Sequence, residues 1–147
     1  MNPGSGSLDI LLVEDSTADA ELTLRALRKA ELGSRVLWLK DGQSAVDYLF
    51  GEGEHAGLRT ERPRLLLLDL KLPKLSGIDV LRRLKSTPTH QAIPVVMLTS
   101  SNEERDIVST YALGANSYLV KPVDFEHLAE LVVSAGRFWL LANRTPR

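Results

Sequence analysis

The sequence predicts an α/β domain built on a five-stranded parallel sheet with helices on both faces. Three observations predict it. Four short apolar runs contain no alternating polar residues, as suits strands buried on both faces: Ile10-Leu11-Leu12-Val13, residues 65–68, Val95-Val96-Met97-Leu98 and Tyr118-Leu119-Val120. The segments between them carry apolar residues at helical spacing. The chain has 147 residues, 44% hydrophobic and 25% charged, which is one ordinary globular domain's worth of sequence.

The elements follow in order. After the first strand, residues 17–31 place Ala20, Leu24 and Leu27 on one helical face and stop at Gly33, a residue suited to a C-terminal cap. Ser16, with Asp19 three residues on, resembles a capping-box start. Residues 35–39 are rich in sheet formers and predict the second strand. Residues 43–50 carry Ala45, Val46 and Leu49 at helical spacing. Residues 51–64 hold three glycines, a proline and several charges, and read as a surface loop. Residues 78–85 carry Ile78, Leu81 and Leu84, and residues 102–113 carry Ile107, Val108 and Tyr111 before Gly114. Asp124 caps a last helix with Phe125, Leu128, Val132 and Ala135 inward. The alternation βαβαβαβαβα with right-handed crossovers predicts a flavodoxin-like (βα)5 fold of strand order 2-1-3-4-5. Residues 1–7 read as a flexible leader, and 8–147 as one domain with a C-terminal helical extension from about residue 136.

Composition narrows the function. Lys plus Arg number 18 and Asp plus Glu 19, so no positive excess is available for nucleic acid. Apolar runs of about four residues fall far short of the roughly 20 that a membrane span needs. The first residues have neither a basic region nor an apolar stretch, so no secretory signal is expected and the cytoplasm is the expected location. The absence of cysteine removes disulfides, thiolate zinc sites and a cysteine nucleophile.

Ligands of open parallel sheets bind beyond the carboxyl ends of the strands. Glu14 and Asp15 follow the first run, Asp69 the third strand, Thr99, Ser100 and Ser101 the fourth, and Lys121-Pro122 the fifth. Taken singly, each has a plain reading: acids at a helix N-terminus, a turn aspartate, a helix cap, a solvated lysine. Together they bring three carboxylates to one pocket, where like charges repel. A hard divalent cation removes the conflict, which points to Mg2+, or Mn2+ in its place. Asp69 is then a nucleophile for phosphorus, with the cation, Lys121 and Thr99 each taking one phosphoryl oxygen. His55, His90 and His127 read as surface residues, and Arg82, Arg83 and Lys85 as a solvated helix face.

These residues resemble the receiver domain of two-component response regulators. Thr99 lies 30 residues after Asp69, and Lys121 lies 22 after Thr99; both intervals match the family, as do Leu72-Pro73 and Gly77. The resemblance covers about residues 8 to 135. It implies that Asp69 is phosphorylated by a partner sensor histidine kinase. It implies that Asp15, Asp69 and the backbone carbonyl of Lys71 bind the metal, with Glu14 acting through water. Thr99, Ser100 and Lys121 would bind the phosphoryl group, Thr99 and Tyr118 would form the switch, and Pro122 would follow a cis peptide bond. The side chains of Lys71 and Ser101 fall at variable positions that tune phosphate lifetime.

The loop before Pro63 and the terminal Phe138-Trp139-Leu140 resemble, more narrowly, the single-domain regulators paired with cyanobacterial and bacterial phytochromes. Consecutive apolar residues on one helix cannot all face one core. This predicts a homodimer through the fifth strand, the last helix and Phe138, Trp139 and Leu140. The protein is therefore read as a phosphoacceptor that catalyses only its own phosphorylation and dephosphorylation, and not as an enzyme. Two alternatives are a phosphorylation-independent interaction module on the same fold, and an aspartate-nucleophile phosphatase. The phosphatase needs a second aspartate two residues after the nucleophile, where this chain has Lys71.

Overall fold

The run of leucines at 65–68 divides between two cores. Leu65 and Leu67 pack on one face of the sheet, Leu66 and Leu68 on the other. Neighbours in an extended chain point to opposite faces, so a strand without polar residues needs helices on both sides. The structure, a computed structural model, describes residues 8–58 and 60–146. The leader expected at residues 1–7 lies outside the described residues.

Five strands, β1 (Leu8–Val13), β2 (Val36–Leu39), β3 (Pro63–Leu68), β4 (Val95–Thr99) and β5 (Ser117–Val120), pair in parallel in the order 2-1-3-4-5. Between and after them run α1 (Thr17–Lys29), α2 (Gly42–Phe50), α3 (Gly77–Lys85), α4 (Glu104–Leu113) and α5 (Phe125–Arg137). The sheet face carrying Leu11, Val13, Leu66, Leu68 and Met97 meets α2 and α3 through Val46, Val80 and Leu84. The other face, with Ile10, Leu12, Leu65, Leu67 and Val96, meets α1 and α5 through Leu27, Leu128 and Val132. No described helix is long and apolar enough to cross a membrane.

Several expectations need correction. Helix α1 stops at Lys29, two residues before the expected end, because Glu31 takes a left-handed φ of 58° before Gly33 does at 67°. Phe125 is 55% exposed rather than inward: it is the first residue of α5, just after the Asp124 cap. In α4 the buried residue is Thr110, whereas Val108 and Tyr111 face solvent. Arg83 and Lys85 are not simply solvated. Arg83 forks onto Glu52, and the Lys85 ammonium donates to the carbonyls of Gln91 (2.9 Å) and Ile93 (2.8 Å). His90 is half-buried, stacked on Phe50 at 4.4 Å, with Nε2 2.8 Å from the Leu49 carbonyl.

The tail also departs from expectation. Beyond α5 the chain makes a π-helical turn, Phe138–Ala142, closed by the Asn143 N–H donating to the Phe138 carbonyl at 2.7 Å. The widened turn sends Leu140 into the domain's own core, so it is not available as an interface residue. Arg64 anchors the turn by donating to the Leu140 carbonyl (2.6 Å) while pairing with Asp9 (3.2 Å). Phe138 and Leu141 remain exposed, and Trp139 is half-buried.

Candidate functional site

Hydrogen bonding in the sheet fixes where each strand releases its polar residue. Glu14 N–H still donates to Leu39, Asp69 N–H to Val13 and Lys121 N–H to Thr99, so these residues sit at the common carboxyl edge of the sheet. Asp69 is buried there. Its Oδ1 accepts from the Leu70 N–H at 2.7 Å, and its Oδ2 lies 3.1 Å from Lys121 Nζ. Glu14 is 2% exposed; its Oε1 meets Lys121 Nζ at 2.6 Å and its Oε2 accepts from the Ser16 N–H at 3.0 Å. Asp15 is exposed beside them. Carboxylate oxygens of Glu14, Asp15 and Asp69 all lie within 4.8 Å of one another. Three hard oxygen donors at that spacing suit a divalent cation. Asp15 and Lys71 line one cleft of about 540 Å³ with Leu70, Leu72, Arg105 and Asp106.

The electrostatics follow from burial and charge. Burial pushes the Glu14 carboxyl up to about 7; its hydrogen bond to Lys121 opposes this, and the nearby Asp69 charge adds to it. Burial disfavours the Lys121 ammonium, but the hydrogen bond to Glu14 and the charges of Asp69 and Glu14 outweigh that and raise its pKa. Lys121 therefore stays charged as the counter-ion of the pocket.

Around this centre, Thr99 is buried at the end of β4, the strand beside β3. Its Oγ1 accepts from the Ser101 N–H at 3.4 Å. Ser101, not Ser100, is the buried serine; its hydroxyl donates to Asp106 at 2.6 Å and accepts from the Glu103 N–H at 3.3 Å. Ser100 is exposed. The Tyr118 hydroxyl donates to the Ser101 carbonyl at 2.9 Å, so Tyr118 is tied to the loop that leaves Thr99. No peptide bond among the described residues is cis, so Lys121–Pro122 is trans, contrary to the expectation. The trans form is the favoured one by about 0.5–1 kcal/mol, and Lys121 reaches all its carboxylates from it.

Two participants escaped the sequence reading. Asp19 completes only half of a capping box: its N–H donates to Ser16 Oγ at 3.2 Å, but its carboxylate turns to Lys121 Nζ at 3.0 Å. Its place in the first turn of a helix that starts at a strand end was the available signal. Trp38 donates its indole N–H to the Glu14 carbonyl at 2.8 Å, a contact between adjacent strands that no motif announces.

The family model described as the response regulator receiver domain matches residues 10–133. The chain belongs to that family. This receiver is 44% identical over 137 residues to the probable methanogenesis regulatory protein FilR2 of Methanothrix harundinacea, covering 93% of this chain and 86% of that one. It resembles the crystal structure of the Mn(2+)-bound form of the response regulator Rcp1, a protein of Synechocystis sp., with a TM-score of 0.87 and 38% identity over 95% of this chain and 99% of that. It also resembles the phosphorylated cyanobacterial phytochrome response regulator RcpA, with a TM-score of 0.87 and 39% identity over 97% of this chain and 100% of that.

Proposed function

We propose that this receiver is a phosphoacceptor switch in which Asp69 takes a phosphoryl group from the phosphohistidine of a partner sensor histidine kinase. The observation that carries the reading is the Asp69 carboxylate, buried beside a charged lysine and within one cation's reach of Glu14 and Asp15. An Asp69 oxygen attacks phosphorus, the O–P bond forms as the P–N bond breaks, and the imidazole nitrogen leaves with the electron pair. No general base is needed, because a carboxylate is itself a competent nucleophile. Asp15, Asp69 and the Lys71 carbonyl would hold Mg2+, or Mn2+, with Glu14 behind them; the cation would neutralise phosphoryl charge. Lys121 and Thr99 would take the remaining oxygens. The Mn(2+)-bound form of the relative Rcp1 supports a divalent metal, and the phytochrome response regulator RcpA supports a phytochrome as the kinase's sensor. The reading includes a cytoplasmic location and slow self-dephosphorylation.

A dimer forms part of the same reading. Phe138 and Leu141 on the tail, with Val120 on β5 and Phe125 on α5, leave apolar surface exposed along the expected interface. Beryllofluoride, a phosphoryl mimic, added with Mg2+ should bind the wild type and leave Asp69→Asn unbound. Light scattering on the same samples should report a dimer, and Phe138→Ser together with Leu141→Ser should leave a monomer. A wild type that ignores the mimic would contradict the phosphoacceptor reading.

The pH dependence has a definite sign. Glu14 has a folded value of about 7, above its ordinary 4.5, so the metal-free fold favours its protonated form. Its contribution to stability is present below about 4.5 and lost as pH rises through about 7. A cation must displace that proton, so Mg2+ affinity should climb up to about tenfold per pH unit below about 7 and level off above it. The chain has two tryptophans. In a Trp139→Phe background, fluorescence of Trp38, bonded to the Glu14 carbonyl, should follow the titration.

A further inference from the structure

Lys121 Nζ has three protons and three carboxylate partners: Glu14 at 2.6 Å, Asp19 at 3.0 Å and Asp69 at 3.1 Å. Two of the three, Glu14 and Asp69, belong to the cluster whose oxygens lie within one cation's reach, and Asp19 does not. A cation entering that cluster competes with Lys121 for Glu14 and Asp69. A phosphoryl group on Asp69 then converts that carboxylate into an uncharged acyl group, which weakens the Lys121 contact to Asp69. Asp19 is the one acceptor of the ammonium that neither event weakens. It is held independently, by the first turn of α1, where its own N–H is capped by Ser16 Oγ at 3.2 Å. Its side chain is 24% exposed and that of Lys121 8%, so Asp19 stands on the solvent side of the ammonium.

We propose that Asp19 is a positioning residue of the phosphoryl-transfer site, holding Lys121 over Asp69 while the metal and the phosphoryl group take its other partners. The proposal rests on the phosphoacceptor reading above. It competes with a simpler electrostatic expectation. Asp19 adds a negative charge near an incoming phosphoryl group, and mere repulsion would make its removal accelerate the reaction. The two differ in sign, and an asparagine separates them, since it keeps a side-chain oxygen for Lys121 and discards the charge.

The test measures phosphorylation by acetyl phosphate with Mg2+, read by intact mass against time, for the wild type, Asp19→Ala, Asp19→Asn, Lys121→Ala and the Asp19→Ala/Lys121→Ala pair. Thermal unfolding and Trp38-monitored Mg2+ binding accompany each variant. Asp19→Ala should slow phosphorylation about tenfold, the loss of one charge-assisted hydrogen bond. Asp19→Asn should be slower than wild type by no more than about threefold, and Mg2+ affinity should change little in either. In the Lys121→Ala background, Asp19→Ala should add less than about twofold, because the residue acts through a lysine that is gone. Asp19→Ala or Asp19→Asn faster than wild type, or an equal loss with and without Lys121, would overturn the proposal. A wild type that gains no phosphoryl mass would instead remove the reading on which it rests.

Discussion

Replacing Lys121 by alanine should be the most costly single change at the site. The ammonium is 8% exposed and is shared by Glu14, Asp19 and Asp69. Removing it leaves buried carboxylates without their counter-charge, a loss of about 3–5 kcal/mol when one partner of a buried ionic set is deleted. The carboxylates have an escape, which is to take up protons. The hydrogen bond from Lys121 is what restrains the already raised Glu14 carboxyl, so the variant should push that group above about 7. The destabilisation should therefore be largest at alkaline pH and shrink as pH falls. Mg2+ should restore part of it, because a ligand that binds only the folded state stabilises that state. Urea melts at two pH values, with and without Mg2+, read all of this. Phosphorylation should fall about 10²- to 10³-fold, as when a pre-aligned charge donor is lost elsewhere.

Gly77→Ala should come next, and for a backbone reason. A Cβ on Gly77 would stand 2.2 Å from the Asp69 carbonyl oxygen and 2.9 Å from Leu70 Cα. Neither is a flexible side-chain end. The Gly77 N–H also donates to the Leu70 carbonyl at 2.8 Å, so α3 cannot back away without breaking that bond. The strain falls on the segment that aims the phosphoacceptor. A loss of about 3 kcal/mol or more is expected, against a helix-propensity gain of about 1 kcal/mol. Phosphorylation should fall with it, because Asp69 is displaced. Gly136→Ala is the control: its Cβ would meet side-chain carbons of Leu27 and Leu32 at 3.2 and 3.3 Å, which can yield. That variant should melt close to wild type. If Gly77→Ala melts there too, the close packing of α3 on the Asp69 backbone is wrong.

Much of this architecture is legible in the residues. Apolar runs such as 65–68 allow no solvent-facing side and therefore require a sheet covered on both faces. Glu14, Asp15, Asp69 and Lys121 could be placed together because parallel strands end at one edge. What stayed hidden depends on distances between elements. Asp19 has a sufficient local explanation as part of a helix cap, and nothing in its neighbourhood announces an ammonium 102 positions later. Leu140 sits in a run of four apolar residues, and only the π-helical turn decides which of them enters the core. Helix α4 has apolar residues at helical spacing that point outward, since period alone does not say which face is buried.

The central claim is that Asp69 accepts a phosphoryl group in a metal-dependent reaction. Its most direct measurement is the intact mass of the protein after incubation with Mg2+ and acetyl phosphate, beside Asp69→Asn and a chelated control. The account predicts the gain of one phosphoryl mass in the wild type, and no gain in the variant or with chelator. An unchanged wild-type mass with the fold intact, or an equal gain in Asp69→Asn, would contradict it.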